Sequence, residues 1–284
     1  MTAALPPVPW ASSQTQRLLF QPGVTANPAG GTILCEVATH PPCRLVVADA
    51  ATSAPGGTDP PQTSLELLTA ANDGVPEAEA LQALRNWAEQ GRPHPDPAIQ
   101  TLSLHGVQVV WGPERVGVAA PGARLPLVLP TVLEFVCLEQ ALSGLERRLA
   151  RSWPQLEEDS PLAFDFDHRA DRRRGDLARR FQEVLGLRGR WAQLQPPLHR
   201  PLVYPPTLAS QVGERLRERA RLPERWESLG SQIDVFQNVY EQCAQRAHDW
   251  RLAWKGHTLE ILIILLLLGQ TLLLVFELFA GREA

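Results

Sequence analysis

One short segment of the chain carries residue types that could bind a metal ion. Asp165, Asp167 and His168 lie within a single Asp-Phe-Asp-His string, and carboxylates with an imidazole are ligands for divalent cations. Such a site would support a metal-dependent enzyme acting on a phosphate-bearing or membrane-proximal substrate. Arg169 and the run 172–174 follow at once, and their charge opposes a cation. The competing interpretation is a solvated loop that leads into a helix.

The arginines around this string are the second candidate for chemistry. Residues 165–190 hold eight Arg against five acidic residues, a local charge of +3. Such a surface could bind anionic lipid headgroups or RNA phosphates. The candidates are Arg172, Arg173, Arg174, Arg179 and Arg180. Because carboxylates are interleaved with them, ion pairs within helices are the competing interpretation.

Other catalytic chemistry lacks its usual motifs. The chain has no GxxxxGK[ST], GxGxxG, GxSxG or HExxH sequence, so common phosphate, nucleotide, acyl-transfer and zinc sites are not indicated. We therefore expect no cofactor, no small-molecule substrate and no enzymatic activity. A net charge of −4 over 284 residues gives no general attraction to nucleic acid. The spacing of the four Cys residues indicates reduced thiols rather than a metal knuckle or a disulfide framework.

The segment that decides the class of protein lies near the C-terminus. Of the 21 residues in 259–279, 16 are Leu, Ile, Val or Phe. A helix of this length measures about 31 Å, which matches a hydrocarbon core of about 30 Å. We predict a transmembrane helix over 259–279, followed by a short tail, 280–284; a buried core helix is the alternative. Because so few residues follow it, we expect insertion after translation, as in tail-anchored proteins.

Flanking residues predict the orientation of this span. Arg246, Arg251 and Lys255 precede it and only Arg282 follows it, which favours a domain on the side of synthesis. We therefore expect a single-pass protein, in the inner (cytoplasmic) membrane of a bacterial cell, with its N-terminal domain in the cytoplasm. Trp250 and Trp254 lie where the headgroups begin, as membrane-interface anchors do.

The remaining sequence predicts an α+β protein: an N-terminal mixed α/β domain, a helical bundle or coiled-coil arm, and the C-terminal span. The predicted divisions are a flexible segment over 1–30, a mixed α/β domain over 31–130 and a helical domain over 131–258. Within the second, we expect strands over 32–37 and 44–48, a helix over 77–90 and a β-rich run over 101–111 with a tight turn at Gly106 or Gly112.

Beyond residue 130 the apolar period becomes helical. Phe135 to Leu149 forms a stripe that predicts a helix ending before Pro154. A proline-rich stretch, 195–206, predicts an extended connector, and a short charged helix is expected over 208–222.

The longest stripe alternates spacings of three and four over four heptads. It comprises Trp226, Leu229, Ile233, Phe236, Tyr240, Cys243, Ala247, Trp250 and Trp254. Its partner is either a helix of the same chain or the same helix of a second copy, so self-association through 226–254 is open at this point.

The order of four sequence features resembles one known family. These are the run from Gly106 to Gly112 (GVQVVWG), the helix end Leu142 to Glu146 (LSGLE), the turn Leu222 to Trp226 (LPERW), and Leu259-Glu260 at the start of the span. The family is that of the protein required for meiotic nuclear division and its YagE-like relatives, a domain of unknown function. The resemblance implies single-span proteins with no established enzymatic activity, whose mitochondrial members tether ribosomes to the inner membrane.

Together, these features predict a non-enzymatic, tail-anchored membrane scaffold or tether. A role in translation, with a ribosome or RNA as partner, is implied by the resemblance alone. The alternative is the metal-dependent enzyme built on Asp165, Asp167 and His168.

Overall fold

The computed structural model of the protein describes residues 12–22, 33–37, 43–47, 64–90, 99–164, 172–199 and 204–280. It has the predicted α+β class, with a mixed sheet followed by long helices. The strands are β1 (Ser13–Pro22), β2 (Ile33–Val37), β3 (Cys43–Val47), β4 (Ser64–Ala71), β5 (Gln100–Leu104), β6 (Val107–Trp111) and β7 (Arg115–Ala120). The helices are α1 (Glu77–Glu89), α2 (Leu125–Asp159), α3 (Arg174–Gln193), α4 (Gln195–Leu198), α5 (Leu208–Arg219) and α6 (Leu222–Ala280), with a 3-10 turn at Ser160–Ala163.

The described strands form one sheet in the order β2-β3-β1-β4-β7-β6-β5. The pairing of β4 with β7 is parallel, and every other pairing among them is antiparallel. Because parallel neighbours need a crossover, the chain passes through α1 and the β5–β6 hairpin before it returns as β7. One core cluster lies under α1, where Leu84 and Trp87 pack with Leu68 and Val110.

The two glycines that were alternatives for the predicted tight turn both lie in tight connections. His105 and Gly106 join β5 to β6 with φ angles of 50° and 81°, the backbone that a two-residue hairpin requires. Gly112 begins the connection from β6 to β7, where its N–H donates to the carbonyl of Arg115 at 2.8 Å. The sequence run that ends in Trp111-Gly112 is therefore a hairpin strand with a turn at each end.

Three predictions about local structure are corrected. The segment 1–30 was expected to be flexible, but β1 (Ser13–Pro22) pairs with both β3 and β4. The helix predicted to end before Pro154 begins at Leu125 and continues to Asp159, because tertiary contacts of Trp153 and Leu156 outweigh the loss of one backbone hydrogen bond at proline. Within the extended connector, 195–198 is the helical turn α4.

The chain divides into two compact units, and their bounds differ from the predicted division at residue 130. Unit 1 comprises 1–148 and 189–230, and unit 2 comprises 149–188 and 231–284. Unit 1 contains the sheet, α1, the first part of α2, α4 and α5. Unit 2 contains the end of α2, most of α3 and most of α6. The bounds of the two units fall within α2, α3 and α6.

The heptad stripe of α6 is mostly covered within the chain. From Trp226 to Ala247 its members are at most 7% exposed, and Phe236 is fully buried with its ring edge-on to Trp153 at 4.8 Å. Trp250 is half-buried and Trp254 is 62% exposed. Packing within one chain therefore accounts for the stripe as far as Ala247; self-association through 226–254 stays a prediction.

Candidate membrane anchor and buried ion-pair clusters

The far end of α6 is apolar on all sides and is not covered. From Ile261 to Leu268 eight consecutive side chains are each 49–63% exposed, and the helical backbone continues to Ala280. Burying a Leu or Ile side chain is worth about 1.5–3 kcal/mol, so this segment in water would forgo more than about 10 kcal/mol. A solvent less polar than water is the environment that this segment fits.

Two helices are long and apolar enough to cross a membrane, and they differ in burial. The window in Leu222–Leu273 has a mean hydropathy of 1.8 and is 0% buried, whereas that in Leu125–Ala163 has 1.6 and is 50% buried. Val132, Leu133, Phe135 and Val136 of α2 are each at most 2% exposed. The hydropathy of α2 is therefore that of a core helix, and α6 carries the stronger signal.

The predicted interface anchors lie on the turns of α6 between its packed part and the apolar segment. The rings of Trp250 and Trp254 stack with centroids 6.4 Å apart and an interplanar angle of 25°. The side chains of Arg246 and Lys255 are exposed on the same stretch, and His257 Nδ1 lies 3.4 Å from a carboxylate oxygen of Glu260. Aromatic rings with cations are typical of a membrane-water boundary.

Unit 2 is held together by a buried carboxylate. Asp159, the last residue of α2, is fully buried. It accepts hydrogen bonds from Arg173 at 3.1 Å, from Arg180, and from the hydroxyl of Tyr240 at 3.2 Å. The thiol of Cys243 donates to the backbone carbonyl of Asp159 at 3.8 Å. Four groups from two other segments therefore converge on one residue, which satisfies a charge that would be costly to bury alone.

This cluster changes the interpretation of the five candidate arginines. Arg173 binds Glu158 and Asp159, Arg180 binds Asp159, and Arg179 lies 3.3 Å from Asp176 and 3.9 Å from Glu183. Arg172 and Arg174 are exposed and have no partner among the described residues. Three of the five are thus engaged by carboxylates of their own chain, and some of these pairs cross between helices rather than following one helix.

Burial, charge and hydrogen bonding shift three pKa values around Asp159. Burial raises the pKa of the Tyr240 hydroxyl above its ordinary value, and the negative charge of Asp159 adds to the effect. Burial, and then Asp159, raises the pKa of the Cys243 thiol to about 11. The hydrogen bond to Asp159 raises the pKa of Arg180. Cys243 is therefore a protonated, buried thiol at neutral pH, which is the opposite of a catalytic thiolate.

A second ion-pair cluster lies in unit 1, around Arg225. Its guanidinium donates to both carboxylate oxygens of Glu146, at 2.7 and 2.9 Å, and to Ser143 Oγ at 2.8 Å. Glu139 accepts a longer hydrogen bond of 3.4 Å. The Glu146 hydrogen bonds raise the pKa of Arg225 above its ordinary value. Two of the four sequence features in the family resemblance, LSGLE and LPERW, thus contact each other through this side chain.

A reciprocal tryptophan pair joins the end of α3 to the start of α6 in unit 1. The Trp191 indole N–H donates to the backbone carbonyl of Trp226 at 2.8 Å, and the Trp226 indole N–H donates to the backbone carbonyl of Trp191 at 3.1 Å. The rings are stacked with centroids 4.4 Å apart. Gly230 makes room for them, because a Cβ there would lie 2.6 Å from Trp191.

Unit 1 also contains an open groove of about 740 Å³, lined by both polar and apolar side chains. Thr131, Glu134, Ser210, Gln211 and Arg217 are among the residues that line it. In this groove no nucleophile and base are joined by a hydrogen bond among the described residues. It shows no catalytic constellation that the sequence had missed.

The predicted metal ligands Asp165, Asp167 and His168 lie outside the described residues. Within the part of the chain that the structure describes, no three His, Cys, Asp or Glu residues form a group able to hold a metal ion. The metal-dependent alternative therefore stays a prediction.

Sequence reasoning missed the roles of Asp159 and Arg225. Arg173, Arg180 and Tyr240 are 14, 21 and 81 residues from Asp159, and no local spacing connects them. For Arg225 there was one signal: Glu139, Ser143 and Glu146 repeat at helical spacing and present polar groups on an otherwise apolar helix.

The chain matches no known protein-family model and no curated protein. The resemblance to the family of the protein required for meiotic nuclear division therefore rests on the order of its four motifs.

Proposed function

We propose that this protein is a non-enzymatic scaffold or tether held at a membrane by residues 259–279. One observation carries the proposal: a single helix, α6, is packed through Ala247 and then continues as an uncovered apolar segment. A continuous helix transmits position better than a flexible linker. The folded part is thus held at a set distance from the bilayer, which is useful to a tether and unnecessary for a diffusing enzyme.

The distance follows from helix geometry. Residues 248–258 separate the last buried stripe residue from the span, and at about 1.5 Å per residue they measure about 16 Å. Trp250, Trp254, Arg246 and Lys255 lie on or beside this stretch. They suit the headgroup layer, where indole rings and cations are favoured. A translation-related partner belongs to the same proposal only through the motif resemblance.

Membrane anchoring is tested by alkaline carbonate extraction of membranes from cells that express the full chain. We expect the wild-type protein in the pellet. Ile264→Arg combined with Leu267→Arg places two charges in the span at about 2.5–3.5 kcal/mol each, so this variant should move to the supernatant. Leu252→Arg, on an exposed position before the span, is the matched control and should stay in the pellet. Wild-type protein released by carbonate would refute the anchor.

The scaffold role is tested separately, by crosslinking in native membranes followed by purification under denaturing conditions. We expect defined partner proteins that disappear when residues 248–258 are doubled in length, because the spacing from the bilayer changes. Partner capture that is insensitive to this spacing would contradict a tether of set length.

A further inference from the structure

We propose that two copies of this chain associate within the membrane through Gln270. The inference rests on the proposed function, because it requires that 259–279 span a bilayer. Gln270 is the eleventh residue beyond Leu259, which places its amide about 16 Å into the span and close to the midplane of a core about 30 Å thick. No other side-chain amide occurs in this segment.

Among the residues that the structure describes, none satisfies this amide. The Gln270 side chain is exposed, and no described residue forms a hydrogen bond with it. Its neighbour Thr271 differs, since the Thr271 hydroxyl donates to the carbonyl of Leu267 at 2.5 Å. Hydrocarbon offers neither donors nor acceptors, so an unpaired amide at this depth is strongly unfavourable and a polar partner must come from another molecule.

A second copy is the partner that fits the amide best. An amide both donates and accepts, so two Gln270 side chains can each donate an N–H to the carbonyl oxygen of the other. Two copies inserted with the same orientation bring their Gln270 residues to the same depth without further adjustment. A different protein would need its own polar group at that depth.

The apolar residues on the same face support helix pairing. Leu259, Ile263, Leu266, Gln270 and Leu273 are spaced 4, 3, 4 and 3, which places them along one stripe. The four apolar members are 54–66% exposed, so this stripe is uncovered in the single chain. A stripe of branched residues interrupted by one polar side chain is the pattern in which the polar group sets the register of a helix pair. It lies on residues other than those of the Trp226–Trp254 stripe.

The test measures energy transfer between full chains that carry donor or acceptor fluorescent proteins at the N-terminus, reconstituted together in phosphatidylcholine vesicles. We expect transfer that decreases as lipid is added. Gln270→Leu should raise the apparent dissociation constant about three- to thirtyfold, the range for one interhelical hydrogen bond in a membrane. Gln270→Asn keeps an amide and should remain closer to wild type. Thr271→Val removes only a hydroxyl that is bonded within its own helix, and should change the constant less than about twofold.

Two results would overturn the inference: wild-type transfer no greater than that of a monomeric membrane-protein standard, or equal transfer in wild type and Gln270→Leu. Flotation of the same vesicles separates this failure from failure of the proposed function. A chain that floats with lipid but shows no Gln270-dependent transfer is an anchored protein without this interface. A chain that does not float refutes the anchor, and the interface with it.

Discussion

Asp159 concentrates more interactions than any single motif in the sequence would indicate. Its carboxylate receives two guanidinium groups and a tyrosine hydroxyl while fully buried. Two guanidinium groups and a hydroxyl could bind an external anion, but here the anion that they bind is the Asp159 carboxylate of the same chain. Arg173 and Arg180 therefore stabilise unit 2, and of the candidate arginines Arg172 and Arg174 remain to meet an external anionic surface.

Removing the charge of Asp159 should destabilise unit 2. Asp159→Asn keeps the shape of the side chain but leaves Arg173 and Arg180 without their shared counter-ion, which typically costs about 3–5 kcal/mol when the pair is buried. Glu158→Gln is the matched control, because Glu158 also binds Arg173 but is 62% exposed; its effect should stay below about 1 kcal/mol. Thermal unfolding of the full chain in detergent micelles, followed by near-ultraviolet circular dichroism, measures both. Equal melting temperatures would contradict a structural role for the cluster.

Cys243 should make the protein sensitive to alkaline pH. Its pKa is about 11 in the folded chain against an ordinary value of 9.0. Above pH 9 the unfolded state loses this proton first, so the folded state binds more protons and the free energy of unfolding falls as pH rises towards 11. The loss approaches about 2–3 kcal/mol. Melting temperatures at pH 8, 9.5 and 11 should fall less steeply in Cys243→Ala than in wild type, and parallel slopes would rule out the thiol as a cause.

At the level of whole helices, tertiary contacts outweigh local breakers. Helix α2 passes through Pro154 because Trp153 packs against Phe236 and Leu156 is buried, and the backbone tolerates one missing hydrogen bond. The junction between α5 and α6 is a sharp turn at Arg221, whose φ of 52° lies in the left-handed region. The Arg225 cluster and the paired tryptophans stabilise the start of α6 that follows this turn.

The tryptophan pair predicts unequal effects of two glycine substitutions. Gly230→Ala places a Cβ 2.6 Å from the Trp191 ring, which should force the stacked indoles apart and cost about 1–3 kcal/mol. Gly144→Ala, in the interior of α2, meets nothing within 4 Å and should stabilise the helix by up to about 1 kcal/mol. Thermal melts of both variants decide the matter. A neutral or stabilising Gly230→Ala would mean that the rings adjust freely.

For the whole molecule, the charged residues beside the apolar end of α6 predict the side of the membrane on which the folded part lies. Arg246, Arg251 and Lys255 precede the span, and cations are retained on the side where the protein is made. The span belongs to unit 2, and all other residues of the two units, apart from the tail 280–284, precede it in sequence.

The folded part is expected to face the cytoplasm of a bacterial host. Protease added to intact spheroplasts should leave it uncut, while the same protease added to inside-out membrane vesicles should digest it. Arg246→Glu combined with Lys255→Glu reverses the local charge and should increase the fraction cut in spheroplasts. Arg215→Glu combined with Arg219→Glu, which makes the same change of charge far from the span in sequence, is the control. Digestion of the wild-type domain in intact spheroplasts would overturn the orientation.

The sequence alone predicted the features that depend on neighbours along the chain. Local period and turn chemistry predicted the α+β class, strands over 32–37 and 44–48 that the structure has at 33–37 and 43–47, and the helix after residue 77. They also predicted a tight turn at Gly106 or Gly112, without choosing between the two. The apolar stripe of α6 was likewise visible in its spacing, because a helix repeats every 3.6 residues wherever it packs. The apolar segment after Leu259 was recognised from composition and length in the same way.

Tertiary structure decided the features that depend on residues far apart in sequence. β1 was missed because its pairing with β3 and β4 draws on residues up to 57 positions away, as Ser13 and Ala70 are, while its own composition resembles a polar N-terminal segment. The Arg-rich sequence of 172–180 does not reveal whether its side chains bind an external anion or a carboxylate of their own chain. Only folding brought Asp159 to Arg173 and Arg180, because a buried charge is stabilised by whichever groups the packed helices place beside it.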